Sequence, residues 1–391
     1  MSAHGHRITL LERGEAYFPA LIAALDAARE EVFFESYIFD PRRAGEAVAH
    51  ALMRAAERGV AVWLMMDGIG SSRLSQEWQD RLVAAGVRCH VYLPFTPWSI
   101  WLPTRWRRLH RKLCVIDGQV GFCGGINVID DYLDLDDDTP LRNPRFDYAV
   151  RVEGRVVPAM RETMRQLWTR VEALQELRAH DLQALRRLWR RTDFEFRPSP
   201  RGEVQLVLRD NLRYRRRIEQ VYLAAIHRAE DEILIASAYF FPGGRLRRAL
   251  QAAARRGVKV SLLLQGHSDH WLAYRAARVL FAQLLAAGVQ IYEYPFSFMH
   301  AKVAVIDRRW ATVGSSNLDP LSLLLAREAN LVMKDKHFAS ELAKHLSHAM
   351  ARSGPAVDPW LFVRRHWSER WRDRLASTIM RLGVWLTGRR Y

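Results

Sequence analysis

The chain has 391 residues, 49% of them hydrophobic, enough to give two ordinary domains a core each. Its three cysteines, Cys89, Cys114 and Cys123, are too few and too scattered for a disulfide framework or a zinc site, and no apolar run reaches the ~18–20 residues of a membrane-spanning helix. A formal charge of +16 points to an anionic partner, a need that nucleic acid and an acidic lipid surface both meet.

In chain order, the strand within "AREEVFFESYIF" is nearly continuously apolar from Val32 to Phe34, the pattern of a strand with helices on both faces. The next helices end at Gly59, in "RGVAVWLMMDG", and at Gly86, in "AAGVRCHVYLPF"; glycine suits a helix C-terminus, and a strand follows each. Residues 94 to 108, "PFTPWSIWLPTRWRR", then set Trp98, Trp101 and Trp106 beside Arg105, Arg107 and Arg108. Aromatic and arginine side chains together suit the headgroup level of a bilayer, whereas a loop folded onto its own domain would bury the same tryptophans.

The following stretch, "LHRKLCVIDGQVGFCGGIN" at 109 to 127, carries His110, Lys112 and Asp117, then Gly124, Gly125 and Asn127. Asp147 comes next, in "RFDYAV", ahead of another apolar strand. Amphipathic helical sequence then leads to "RPSPRG", residues 197 to 202, whose two prolines and glycine mark a boundary.

Beyond that boundary the series repeats, through "AEDEILIASAYFF", "RGVKVSLLLQG" (ending in Gly266) and "AAGVQIYEYPF", with Gly257 and Gly288 in the helix-ending positions. "FMHAKVAVIDRRWATVGSSN", residues 298 to 317, places His300, Lys302 and Asp307 in the spacing of His110, Lys112 and Asp117, and closes on Gly314, Ser315, Ser316 and Asn317. Glu328, in "AREANLVM", takes the place of Asp147. The chain therefore reads as two α/β domains, 1–197 and 203–357, each with a mixed, largely parallel sheet flanked by helices, and with the functional site at their interface.

A third segment, 358–391, opens with Asp358 and Pro359 as N-cap and first-turn residues. Val363, Trp367, Trp371, Leu375, Ile379, Leu382 and Leu386 then fall on one helical face, and Arg364, Arg365, Arg370, Arg372, Arg374 and Arg381 largely elsewhere. A basic amphipathic helix of this kind can lie in a membrane interface, with Trp367 and Trp371 as contacts, or can pack on its own domain.

Residues i and i+2 of a strand project to one face, so His110 with Lys112, and His300 with Lys302, can meet a single ligand between the domains. Two imidazoles and two ammonium groups suit a phosphodiester. One histidine attacks phosphorus, the other protonates the leaving alkoxide, and the lysines hold the non-bridging oxygens as charge builds. Asn127 and Asn317 add amide donors, while Gly125 and Ser315 keep the backbone close to substrate. Asp147 and Glu328 are the candidates to orient the histidines, each serving its own copy or the other's. Asp117 and Asp307, at strand ends, suit anchoring a turn better than touching substrate. His267, Asp269 and His270 in "QGHSDHW" have cation-binding spacing, but a polar loop lining the cleft accounts for them, so neither metal nor cofactor is expected.

The paired H-x-K-x4-D pattern with trailing G-G-x-N and G-S-x-N resembles the phospholipase D superfamily over nearly the whole chain. "AYFFPG", "GSSNLDPLSLLLAREANLVM" and the lack of N-terminal spanning segments resemble its bacterial cardiolipin synthases of the B type. The resemblance implies that His110, Lys112, Asp117, His300, Lys302 and Asp307 form the catalytic motifs. It further implies a phosphatidyltransferase that joins two phosphatidylglycerols through a phosphohistidine and releases glycerol, with His110 as nucleophile and His300 as acid, then base. The expected setting is an anionic membrane surface, with the protein peripheral on the cytoplasmic face of the bacterial cell membrane. Lipid is favoured over nucleic acid by the tryptophans near the first motif and in the last segment. A lipid hydrolase, a nuclease using the same histidines, and a catalytically silent binding protein are the competing readings.

Overall fold

The computed structural model describes residues 5–94, 108–134, 138–178, 203–210, 214–266, 271–319 and 326–386. The first unit comprises β1 (His6–Glu12), α1 (Arg13–Asp26), β2 (Glu31–Ser36), α2 (Ala44–Glu57), β3 (Ala61–Asp67), α3 (Gln76–Ala84), β4 (Arg88–Tyr92), β5 (Leu113–Ile116), β6 (Val120–Gly124), β7 (Tyr148–Gly154) and α4 (Val157–Arg178). The second repeats it as β8 (Val204–Arg209), α5 (Arg217–Arg228), β9 (Glu232–Ser237), α6 (Gly244–Arg255), β10 (Lys259–Gln265), α7 (Trp271–Leu285), β11 (Gln290–Tyr294), β12 (Lys302–Ile306), β13 (Trp310–Gly314), β14 (Glu328–Met333) and α8 (Lys336–Arg352). Two further helices follow, α9 (Pro359–Val363) and α10 (Trp367–Leu386). The boundary expected at 197–202 lies outside the described residues.

Each unit builds a seven-stranded sheet of the same order, β1-β7-β6-β5-β2-β3-β4 and β8-β14-β13-β12-β9-β10-β11. The sheets are mixed, as expected, but "largely parallel" needs correction. Only β2-β3-β4 and β9-β10-β11 run parallel; the other four pairings of each sheet are antiparallel. The reason is connection length: helices separate the parallel strands, whereas β5–β6 and β12–β13 are joined by three-residue turns that admit only antiparallel pairing.

Those turns also explain Asp117 and Asp307. Both have φ of 51°, in the left-handed region that aspartate tolerates, and Gly118 beside Asp117 makes the Asp-Gly pair favoured in tight hairpins. Each carboxylate accepts three backbone N–H bonds from the start of a neighbouring strand, at 29–31 for Asp117 and 230–232 for Asp307. The catalytic placement implied by the motif is thus corrected for both: they pin a hairpin to the sheet and leave the chemistry to other residues.

Alternation within the strands sorts the core into layers. Val303 and Val305 of β12, with Leu113 and Val115 of β5, point into one cluster shared by both sheets and by α4 and α8. Ala304 and Ile306 instead meet α5, α6 and α7, and Cys114 and Ile116 meet α1 and α2. Covering both faces makes these runs continuously apolar, and each fully buried valine or isoleucine contributes roughly 1.5–3 kcal/mol. Because the two sheets share the inner cluster, the strands that directly follow the two histidines, β5 and β12, are held facing one another.

Candidate active site

The backbone brings the two motifs together. His110 N–H donates to Arg327 O (3.0 Å) and Arg327 N–H to Arg108 O (2.8 Å), so the segment before β5 lies along the residue ahead of Glu328. Symmetrically, His300 N–H donates to Phe146 O (2.8 Å) and Phe146 N–H to Phe298 O (2.9 Å), beside Asp147. The orienting pairs are consequently crossed. His110 Nδ1 lies 3.0 Å from both Glu328 carboxylate oxygens, and His300 Nδ1 lies 2.7 Å from Asp147 Oδ2. With Nδ1 engaged in each ring, Nε2 is left for chemistry, and the ring centroids stand 6.4 Å apart.

Lys112 and Lys302 are buried, their ammonium groups donating to the carbonyls of His110 (2.8 Å) and His300 respectively. Burial pulls the Lys112 ammonium down to about 7 against the attraction of Glu328, and lowers both histidines, His300 well below the usual range, with the two lysines adding to the effect there. Burial likewise pushes the Asp147 carboxyl up to about 7 against the pull of Lys302. Every one of these shifts disfavours charge in a dry site, so an incoming phosphodiester supplies the anion that restores the cationic forms.

Asn127 and Asn317 are buried at matching positions, and neither Nδ2 has a protein acceptor among the described residues, which leaves both amides as donors for a ligand. Gly125 and Ser315 call for a correction, because each faces an orienting carboxylate instead of substrate. A Cβ at Gly125 would fall 2.3 Å from Asp147 Oδ1, whereas Ser315 donates its hydroxyl to Glu328. Glycine thus makes room for the aspartate of the first unit, and serine holds the longer glutamate of the second.

Three features escaped the sequence reading. Tyr37 packs edge-on against His110 (4.9 Å) with the Lys112 ammonium 5.1 Å from its ring, and its counterpart in "ASAYFF" is Ala238, a mismatch that laying "ESYIF" beside that stretch exposes. The Asp67 carboxylate accepts from Leu109 N–H (2.8 Å), and its counterpart Gln265 accepts from Met299 N–H (2.7 Å), so the residue before each histidine is tied to the end of a parallel strand. Arg145 stands two residues before Asp147. Trp98, Trp101, Trp106, His267, Asp269 and His270 lie outside the described residues.

The same residues can be set beside known proteins. The family described as "Cardiolipin synthase, PLD-like domain" matches residues 21–143 and 222–350, one stretch in each unit. The chain belongs to that family. It is 40% identical to cardiolipin synthase B of Escherichia coli (strain K12) over 380 residues, 96% of this chain and 88% of that protein, and 39% identical to cardiolipin synthase B of Salmonella typhi over the same coverage. Cardiolipin synthase A of Pseudomonas putida (strain F1) is 30% identical over 343 residues, 88% of this chain and 68% of that protein. A phosphatidylserine synthase structure from Haemophilus influenzae shares the fold, with a TM-score of 0.66, 15% identity and coverage of 96% of this chain and 93% of that one. Membership makes the chain an enzyme, a phosphatidyltransferase of the phospholipase D superfamily with a phospholipid substrate.

The segment after the second unit also differs from a single amphipathic helix. Asp358 caps α9, accepting from Trp360 and Leu361 N–H (2.7 and 3.2 Å), but the helix breaks at 364–366, where His366 Nδ1 accepts from Ser368 N–H as α10 begins. α10 packs on α7 through Ala376, Ser377 and Asp373, the last paired to Arg275 (3.2 Å) and Arg365 (2.9 Å). Its small and polar face is therefore inward, and the apolar stripe is outward: Trp367 is 67% exposed and Trp371 59%, with Leu375, Ile379 and Leu382 exposed beside them.

Proposed function

We propose that the protein makes cardiolipin from two phosphatidylglycerols. His110 attacks the donor phosphorus through Nε2, the bond from phosphorus to the glycerol oxygen breaks, and His300 delivers the proton that glycerol carries away. The terminal hydroxyl of the second lipid then gives its proton to His300 and attacks the same phosphorus, and the phosphorus–nitrogen bond breaks to regenerate His110. Lys112, Lys302, Asn127 and Asn317 hold the non-bridging oxygens throughout. The observation that carries this reading is the pair of histidines, each fixed through Nδ1 by the other unit's carboxylate, with their ring centroids 6.4 Å apart.

The setting is an anionic membrane, with the protein peripheral on its cytoplasmic face. No described helix is long and apolar enough to cross a membrane, and the outward stripe of α10 with its arginines supports contact from one side. In this reading 1–197 and 203–357 are the two catalytic domains, and 358–391 is the membrane-facing appendage.

Purified protein incubated with labelled phosphatidylglycerol vesicles, beside a His110→Ala control, tests the assignment. Cardiolipin with equimolar glycerol is the expected product, absent from the control; phosphatidic acid alone would make the protein a hydrolase.

A further inference from the structure

Cardiolipin synthesis has to hold two phosphates at once, the one bound to histidine and the one already present in the acceptor lipid. A three-carbon bridge joins them in the product, so by standard bond lengths their phosphorus atoms stand about 7 Å apart at most. The two lysines and two asparagines surround only the first. The cation for the second belongs one step further along the cleft wall.

Successive same-face residues of an extended segment are about 6.7 Å apart, so that step falls two residues before each histidine and each orienting carboxylate. On the His110 side these positions are Arg108 and Ala326. Arg108 is neutralised by the wholly buried Asp67 (3.2 Å) and donates to Leu93 O. On the His300 side they are Phe298 and Arg145. The Arg145 guanidinium lies 5.0 Å from the Phe298 ring centroid and donates through Nη2 to Leu133 O (2.8 Å). Its Nε is buried with no acceptor, and no carboxylate among the described residues comes within ion-pair distance. Asp131 feels its charge but accepts from Gly14 N–H (2.6 Å) instead. Arg145 is also near enough to His300 to help lower that ring's affinity for a proton.

We propose that Arg145 binds the phosphate of the acceptor lipid and thereby favours a lipid hydroxyl over water or a simple alcohol in resolving the phosphohistidine. The assignment rests on the synthase reading above and deepens it. It is one-sided because the counterpart position is Ala326, so of these four positions only Arg145, beside His300, is a cation without an acidic partner among the described residues, and His300 is the base that takes the acceptor's proton.

The test lets two acceptors compete. Wild-type, Arg145→Ala, Arg145→Gln and Arg145→Lys proteins are given phosphatidylglycerol vesicles with ethanol present, and cardiolipin, phosphatidylethanol and phosphatidic acid are measured together. Loss of a charge-assisted contact should lower the ratio of cardiolipin to phosphatidylethanol by about tenfold or more in Arg145→Ala and Arg145→Gln, with partial recovery in Arg145→Lys. An unchanged ratio, in whichever variants keep the wild-type melting temperature, overturns the assignment, as does an equal fall in both products. If wild type itself makes no cardiolipin, it is the synthase reading that fails.

Discussion

His110 and His300 stand just ahead of equivalent strands, β5 and β12, with the same lysine and asparagine around them, yet their surroundings differ. Tyr37 and the Asp67–Arg108 pair border His110, whereas Ala238, Gln265 and Phe298 stand in the corresponding places around His300, where Arg145, the counterpart of Ala326, has no acidic partner among the described residues. The groups that touch the reacting phosphate are symmetric, because a phosphodiester presents equivalent oxygens to both sides. The next layer out is not, because the two steps bring different groups, a departing glycerol and an arriving lipid. Duplication supplied the catalytic pair, and divergence around it gave each side its task.

The crossed carboxylates offer the largest test of that comparison. Glu328→Gln and Asp147→Asn should each slow turnover by roughly 10²–10⁴-fold, the range for a histidine whose tautomer and imidazolium lose their carboxylate. Imidazole ¹⁵N shifts would locate the damage: Glu328→Gln should move His110, and Asp147→Asn should move His300. Perturbation of the histidine in the same unit would break the crossing.

A smaller effect is expected from pH. Lys112, lowered to about 7, is cationic below that value and neutral above it; Asp147, raised to about 7, is a carboxylate above it and protonated below. The free enzyme combines both needed forms only near neutrality. A plot of kcat/KM against pH should therefore be a narrow bell centred near 7, its limbs belonging to the coupled cluster rather than to single residues. Because bound phosphate restores the lysine charge, kcat should hold further into the alkaline range. A flat kcat/KM from pH 6 to 9 would refute the buried-cation account.

The smallest expected effect concerns the segment with no first-unit counterpart. Trp367→Ala with Trp371→Ala should weaken sedimentation with phosphatidylglycerol vesicles by about tenfold, as loss of two large apolar anchors implies. Since both rings are mostly exposed, the melting temperature should barely move. A large drop in melting temperature with binding intact would mean the stripe packs on protein.

Much of the site was legible before the fold. The spacing His-x-Lys on an apolar run, present twice, identified the four groups at the centre, because strand alternation is a local rule that needs no tertiary information. The helix N-cap at Asp358 was legible for the same reason. Gly125 was read as a place for substrate because its neighbour Asp147, 22 positions on, meets it only once β6 and β7 pair. The strand directions were misjudged because continuous apolar character reports that both faces are covered and says nothing of which way the neighbouring strand runs.

The sequence by itself determined the duplication, the α/β layering, the paired catalytic groups, and which residues of the last segment share an apolar stripe. All of these follow from backbone periods and short spacings. Only the tertiary structure decided that Glu328 serves His110 across 218 residues and Asp147 serves His300 across 153, that Asp117 and Asp307 fasten hairpins, that Arg145 lacks an acidic partner among the described residues, and that α10 turns its stripe outward. Those outcomes depend on which distant segments come into contact, and a helix with Asp373, Ala376 and Ser377 on one side packs there because Arg275 and Arg365 are waiting to pair with the aspartate.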